Sequence, residues 1–218
     1  FGLSERLVGA VVSVHGDAKG VVFPSSLAPY QVVVVPIVSG TGADGVTAYA
    51  EELVGRLRAR GLRVHLDTSD ERPGAKYYRW ETHGVPLRLE VGRREAEQKT
   101  VTAADRLGQK RPIGPADVDE GIVAALLEYD ARLRTKAEES FAASFRVART
   151  LEELRARTHV GIVSWCGAEA CGHRIEEAID GALLGTPEGP LPVDPGPPGE
   201  CVGCGSRESR WALAGQPL

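Results

Sequence analysis

QVVVVPIV, residues 31–38, is the stretch on which the fold turns. Six of its eight positions are Val or Ile, with no apolar-polar alternation. Both faces of such a segment need burial, which is the demand of a parallel strand inside an α/β sheet. SGTGADG (39–45) closes it as a turn. Beyond the turn, Val46, Tyr49, Ala50, Leu53 and Leu57 recur at helical spacing, and Gly61 stops the helix. LRVHLDTS (62–69) reads as a second strand. In PGAKYYRWETHG (73–84), Pro73 opens a short helix and Gly84 caps its end. VPLRLEVG (85–92) alternates Val85, Leu87, Leu89 and Val91 with Pro86, Arg88 and Glu90, the pattern of a half-exposed strand. KTVTAADRLGQKRPI (99–113) reads as a hairpin turning near LGQ. Strands alternating with helices predict an α/β domain with a mixed sheet of four or five strands.

Working outward toward the start, LVGAVVSV (7–14) is a strand-sized apolar run entered without a cap or turn. HGDAKG (15–20) and FPSSLAP (23–29) read as a turn and an extended connector. The first residue is Phe1 and the chain has no methionine, so this opening reads as the last piece of a domain whose bulk lies elsewhere. Toward the end, helical spacing after Asp117 runs to about Arg157. Ile122, Leu126, Tyr129 and Leu133 mark one apolar face, continued by Phe141, Phe145, Ala148 and Leu151. Forty residues exceed a usual helix, so a break near the middle or a helix linking two domains is expected. HVGIVSW (159–165) is then a strand, HRIEEAIDGALLG (173–185) a helix, LPVDPGPPGE (191–200) a loop and SRWALAG (209–215) a terminal strand.

All four cysteines fall in WCGAEACGH (165–173) and CVGCG (201–205). Cys166-x4-Cys171 and Cys201-x2-Cys204 are separated by 29 residues. Two tight pairs joined by a loop can bring four thiolates around one tetrahedral zinc ion, and a site filled by four thiolates is structural. Free buried thiols and a redox pair are the other uses of such cysteines. His173 can replace one cysteine but, with four thiols present, reads as a surface residue.

Hydrophobic residues make up 42% and charged residues 26% of the 218, the balance of an ordinary globular chain with one large domain or two small ones. No run of eighteen apolar residues is present, which excludes a membrane-spanning helix. The start does not follow the basic, apolar, small-residue order of a secretory signal, so a cytosolic chain is expected, where paired cysteines more often bind metal than each other. The net charge of -4 is unevenly spread: Arg72 to Arg111 carries ten Lys/Arg against five Asp/Glu, leaving -9 for the remainder. That +5 segment can steer a polyanion to one face, or be a solvated charged surface.

SERLVGAVVSVHGDAKGVVFPSSLAP (4–29) closely resembles the end of the catalytic domain of prolyl-tRNA synthetases of the archaeal and eukaryotic type. QVVVVPI, PGAKYYRWETHGVPLRLEVG and the terminal cysteine pairs follow that family's order, so the resemblance covers the whole chain. It implies residues 1–29 as a catalytic-domain remnant, 30–130 as an anticodon-binding domain, 131–157 as a connecting helix, and 158–218 as a small α+β zinc-binding domain. It further implies a class II ligase that uses ATP, with magnesium, to join proline to its tRNA, and that is a homodimer at full length. The piece present here would bind the anticodon arm without catalysing activation. Arg6 would contact ATP phosphates, and His15 would lie near the proline site. Within the anticodon domain, Arg88 with Glu90, and Glu81, are candidates to read a base edge. Lys76 and Arg94 are candidates for phosphates, and Trp80 or Tyr78 for base stacking. The same residues admit plainer roles: Trp80 and Tyr78 packing a helix on the sheet, Arg88 and Glu90 forming a same-face ion pair. Gly92-Arg93-Arg94-Glu95 departs from the family's Gly-Pro-Arg-Asp, HGDA from HGDD, and the final Gln216-Pro217-Leu218 from a terminal tyrosine. A free-standing tRNA-binding module, or a zinc-ribbon protein-interaction module without catalysis, is the alternative reading.

Overall fold

The valine run forms strand β1 (Val32–Pro36), buried at every position. Its burial on both faces follows from its place inside a five-stranded sheet. In the computed structural model, which describes residues 2, 4–38, 43–155 and 160–216, the chain divides into two compact units, Phe1–Ala137 and Glu138–Leu218. The turn read over 39–45, the helix end read to Arg157, the first residue of HVGIVSW and the terminal Pro217-Leu218 lie wholly or partly outside the described residues.

The first unit starts with helix α1 (Arg6–His15), which has no buried residue and leaves Leu7, Val8 and Val14 exposed. The apolar run expected at strand size is thus helical. Strand β1 pairs in parallel with β2 (Val64–Leu66) and β3 (Leu87–Val91). Antiparallel β4 (Val101–Asp105) and β5 (Lys110–Ile113) complete the order β2-β1-β3-β4-β5. The hairpin between β4 and β5 turns at Gly108, as its sequence predicts. Helix α2 (Ala43–Ala59) and the start of α5 (Val118–Ala143) cover one sheet face, burying Tyr49, Leu53, Leu57, Ile122 and Leu126 against Val32, Val34, Leu87, Leu89 and Val101. Helix α3 (Pro73–Thr82) lies on the other face, where Tyr77 and Trp80 pack on Val33, Val35 and Val85.

Two expectations for this unit change. β3 is not half-exposed, because it lies between β1 and β4 and only Arg88 is partly open, while Glu90 is buried. The span after β3 contains helix α4 (Arg93–Gln98), which the sequence reading lacked. Its signal was local: Glu95 Oε2 accepts from the Gly92 backbone N–H at 3.1 Å, the reciprocal bond of a capping box.

In the second unit the expected long helix ends at Ala143. Phe145–Ala148 is strand β6 and Leu151–Arg155 is the short helix α6. β6 pairs in parallel with β7 (Val160–Trp165), so a segment read as helix joins a sheet once a partner strand is supplied. The helix read over 173–185 is α7 (Glu169–Ile179), which starts earlier, and its last residues are strand β8 (Ala182–Gly185). With β9 (Arg210–Gly215) the sheet order is β6-β7-β9-β8. Its core is small: Ala148, Leu154, Val163, Ile175, Ile179, Ala212 and Ala214.

Candidate nucleic-acid interface and metal centre

The sheet register sets the polar site of the first unit. Val33, Arg88, Ala104 and Lys110 lie side by side across β1, β3, β4 and β5; Val35, Glu90, Thr102 and Pro112 form the next row. Side chains in each row share the face opposite the main core. α3 covers the valine end of these rows, and the β3–β5 end carries charge. Arg88 Nη2 donates to Glu90 Oε1 at 3.0 Å, and Lys110 Nζ donates to Glu90 Oε2 at 2.7 Å. The Arg88 guanidinium lies 4.0 Å from the centre of the Tyr77 ring, a cation–π contact worth about 0.5–2 kcal/mol. Burial, then the Glu90 carboxylate, push the Tyr77 phenol up to about 12.

α3 delivers the other expected residues, in different roles. Glu81, in its last turn, pairs with Lys19 at 2.9 Å. With Trp80, Arg88, Ala104 and Arg106 it lines one small recess, so the structure brings Glu81 and Arg88 together. Lys76, expected at a phosphate, is instead buried: its Nζ donates to the Asp67 carbonyl at 3.1 Å and stands 3.7 Å from Asp67 Oδ1. The physical cause is helix phase, since Lys76 falls on the inner side of the first turn of α3. Trp80 is half-buried between His65 and His83, and its indole N–H donates to Asp67 Oδ2 at 2.6 Å, so packing and one hydrogen bond hold it. Tyr78 stands exposed on the opposite side of the helix. Burial alone would raise the Asp67 carboxyl. Hydrogen bonds from Ser69, Trp80 and Arg79 outweigh it and hold the group well below the usual carboxylate range.

Arg94 is exposed on α4 and Arg6 is exposed at the start of α1. His15 ends α1 half-buried, where burial and then Lys136 lower its pKa. Beyond it, Asp17 receives both ends of the Arg106 guanidinium at 2.7 and 3.0 Å, and Arg106 Nε donates to the Glu81 carbonyl at 2.8 Å. This buried arginine, with Lys110 and Tyr77, is what the sequence reading missed. Lys110 and Arg106 lay within the basic segment, but only the register sets Lys110 in the row of Arg88, and only the fold brings Arg106 to Asp17 and the end of α3.

In the second unit the four thiols converge. Cys166 follows β7, Cys171 lies in the first turn of α7, and Cys201 and Cys204 flank a turn before β9. Their sulfurs all lie within 4.8 Å of one another, and the Cys166 and Cys204 sulfurs are 3.8 Å apart. Four sulfurs about 2.3 Å from one ion stand about 3.8 Å from each other, so the set fits a tetrahedral metal. Burial opposes ionisation of Cys201, but the backbone amides of Gly203, Cys166 and Cys204 overcome it and bring the thiol to about 7. Hydrogen bonding to Cys204 and burial push Cys171 up to about 12. Four crowded thiols therefore do not lose all their protons together unless a cation neutralises them. The approach is close enough to demand glycine: a Cβ on Gly203 would stand 2.9 Å from that of Cys171. Arg174 donates to the Gly203 carbonyl at 2.8 Å and fixes the turn. His173 is not among the converging groups and pairs with Glu176 at 3.2 Å. These cysteines can hold a metal ion, as their spacing predicts.

Residues 31–124 match the family described as anticodon binding domain. Over 98% of its length the chain is 44% identical to a proline–tRNA ligase of Methanoculleus marisnigri, covering 45% of that protein. It is 41% identical to the corresponding ligase of Thermococcus kodakarensis, again covering 45% of it. Among solved structures, the prolyl-tRNA synthetase of Cryptosporidium parvum complexed with L-proline and AMP superposes with a TM-score of 0.86 at 27% identity, covering 99% of this chain and 46% of that one. The synthetase of Giardia lamblia in complex with prolyl-adenylate gives 0.86 at 26%, covering 99% and 49%. The chain thus spans about half the length of the relatives it matches, and along nearly its whole length it is similar to the corresponding part of prolyl-tRNA synthetases, with an anticodon-binding segment at residues 31–124.

Proposed function

We propose that this chain is the tRNA-reading portion of a proline–tRNA ligase whose full length joins proline to its tRNA with ATP and magnesium. Residues 1–29 close the catalytic domain, 30–130 hold the anticodon arm, and the second unit, Glu138–Leu218, which extends the expected 158–218 by strand β6 and helix α6, forms a zinc-stapled domain. The observation that carries the reading is the charged end of the β3–β5 rows inside the matched anticodon-binding segment. A partly open guanidinium and an exposed ammonium there meet the needs of unpaired bases and their phosphates. Glu81 offers an acceptor beside Arg88, and exposed Arg94 a phosphate contact. Exposed Arg6 and half-buried His15 serve the ATP and proline sites of the absent part. The apolar, unburied side chains of α1 fit a helix that packs on that part. For the cysteines we propose zinc, held by Cys166, Cys171, Cys201 and Cys204. With four thiolates no position stays open, so the ion would staple the fold rather than do chemistry.

The test is binding of the chain to a proline tRNA transcript beside the same transcript with its anticodon replaced. The native anticodon should bind more tightly. Arg88→Ala should remove about 1–3 kcal/mol of that preference, on the scale of a base-edge contact. Equal binding of both transcripts by the parent chain, or an Arg88→Ala chain with preference intact, refutes the assignment.

A further inference from the structure

Glu90 and Arg88 look in the sequence like an acceptor and a donor offered together to a base. The geometry separates them. Glu90 is 6% exposed and both its oxygens are engaged: Oε1 by Arg88 Nη2 at 3.0 Å and Nε at 3.3 Å, Oε2 by Lys110 Nζ at 2.7 Å. A carboxylate so occupied has little left to offer a ligand. The arginine is different. Its Nε and Nη2 point to Glu90 and its flat face rests on Tyr77, which leaves the Nη1 edge for an incoming group. Lys110 spends one of three donors on Glu90 and is more than half exposed. Ala104 lies between the two cations in the register, with a side chain too short to separate them.

We propose that Glu90 is a positioning residue: it clamps Arg88 and Lys110 at a set spacing across Ala104, so that their remaining donors discriminate between anticodons. This rests on the tRNA-reading function proposed above. The physical reason is that two like charges on long, rotamer-rich side chains repel and wander, and one carboxylate between them removes both tendencies. A side chain that only stabilised the fold would affect all RNAs alike. A clamp changes selectivity before it changes affinity, because loosened cations still attract phosphates.

Glu90→Gln keeps the size and loses the charge. It should lower the ratio of affinities for native and replaced anticodons about tenfold, with overall binding to the replaced transcript little changed. Glu90→Asp, which restores charge at shorter reach, should recover part of the ratio. Because Glu90 acts through Arg88 and Lys110, adding Glu90→Gln to a chain that already carries Arg88→Ala and Lys110→Ala should lower the ratio no further. The proton signal of the Arg88 Nε–H, sharp in the parent, should broaden in Glu90→Gln and reports the clamp without RNA. A ratio unchanged by Glu90→Gln, a further loss when Glu90→Gln is added to the Arg88→Ala, Lys110→Ala chain, or an Nε–H signal that does not respond each overturn the proposal. Equal binding of both transcripts by the parent chain overturns the tRNA reading itself, and the Nε–H signal tells that failure from a failure of the clamp.

Discussion

Asp67 shows how one residue can anchor several expected functional groups. It is 2% exposed and receives Ser69, Arg79 and Trp80, with Lys76 beside it. Two residues that look like RNA ligands in the sequence, Lys76 and Trp80, are thereby tied into the first unit. Asp67→Asn keeps the shape and removes the charge, leaving the Lys76 ammonium buried beside a neutral group. At pH 7 it should destabilise the first unit by about 3 kcal/mol, as breaking a buried pair does. The folded-state pKa of Asp67 lies below its unfolded value. Its stabilisation is therefore present above about pH 4 and is lost as pH falls through the depressed folded value. Asp17, lowered to about 2 chiefly by hydrogen bonding to Arg106, acts in the same sense, discounted for its greater exposure. Hydrogen-exchange protection of the β1 and β2 amides should fall on acidification in the parent and fall less in Asp67→Asn.

At the scale of elements, glycines show where backbone approach, rather than local propensity, decides. The C-cap of α3 is His83, and Gly84 follows it at φ 70°. The sequence reading placed the glycine one step early but named the right signal, since a helix end favours glycine just past its cap. A Cβ on Gly84 would meet the Val21 carbonyl oxygen at 2.6 Å, because the connector after α1 passes against the end of α3. Gly61, at φ 82° after α2, has nothing within 4 Å of its added Cβ. Gly61→Ala should therefore cost about 1 kcal/mol of conformational strain. Gly84→Ala should cost about 2–4 kcal/mol, strain plus overpacking. Urea unfolding midpoints of the two variants measure the difference, and equal shifts would mean that the connector moves aside. The missed elements obey the same logic. α4 is too short to show a helical period, and β6 carries helix-compatible residues that become a strand only because β7 offers a partner.

At the scale of the molecule, the two units differ in what supports them. The first has an extended core on one sheet face and a smaller cluster under α3. The second has a core in which two of seven buried members are residues larger than valine on α7, Ile175 and Ile179, and three are alanines. A small core of this kind is commonly completed by a metal. Removal of the proposed zinc should therefore release the second unit while sparing the first. With a strong chelator, amide protection in Val160–Trp165 and Arg210–Gly215 should collapse while that in Val32–Pro36 persists. Persistent protection in both sheets would make the cysteines an ornament of an independently stable fold.

The sequence by itself determined the alternation of strands and helices from Gln31 to Val91, the hairpin near Gly108, the clustering of charge between Arg72 and Arg111, and the pairing of the four cysteines for one centre. Each is written in local periodicity, in turn residues or in short spacings, which near neighbours alone decide. Only the tertiary structure decided which charged residues meet. The register that sets Arg88, Ala104 and Lys110 in one row, the burial of Lys76 and Glu90, and the strand identity of Phe145–Ala148 all depend on partners distant in the chain. A side chain's exposure is a property of what packs over it, and no local pattern records that.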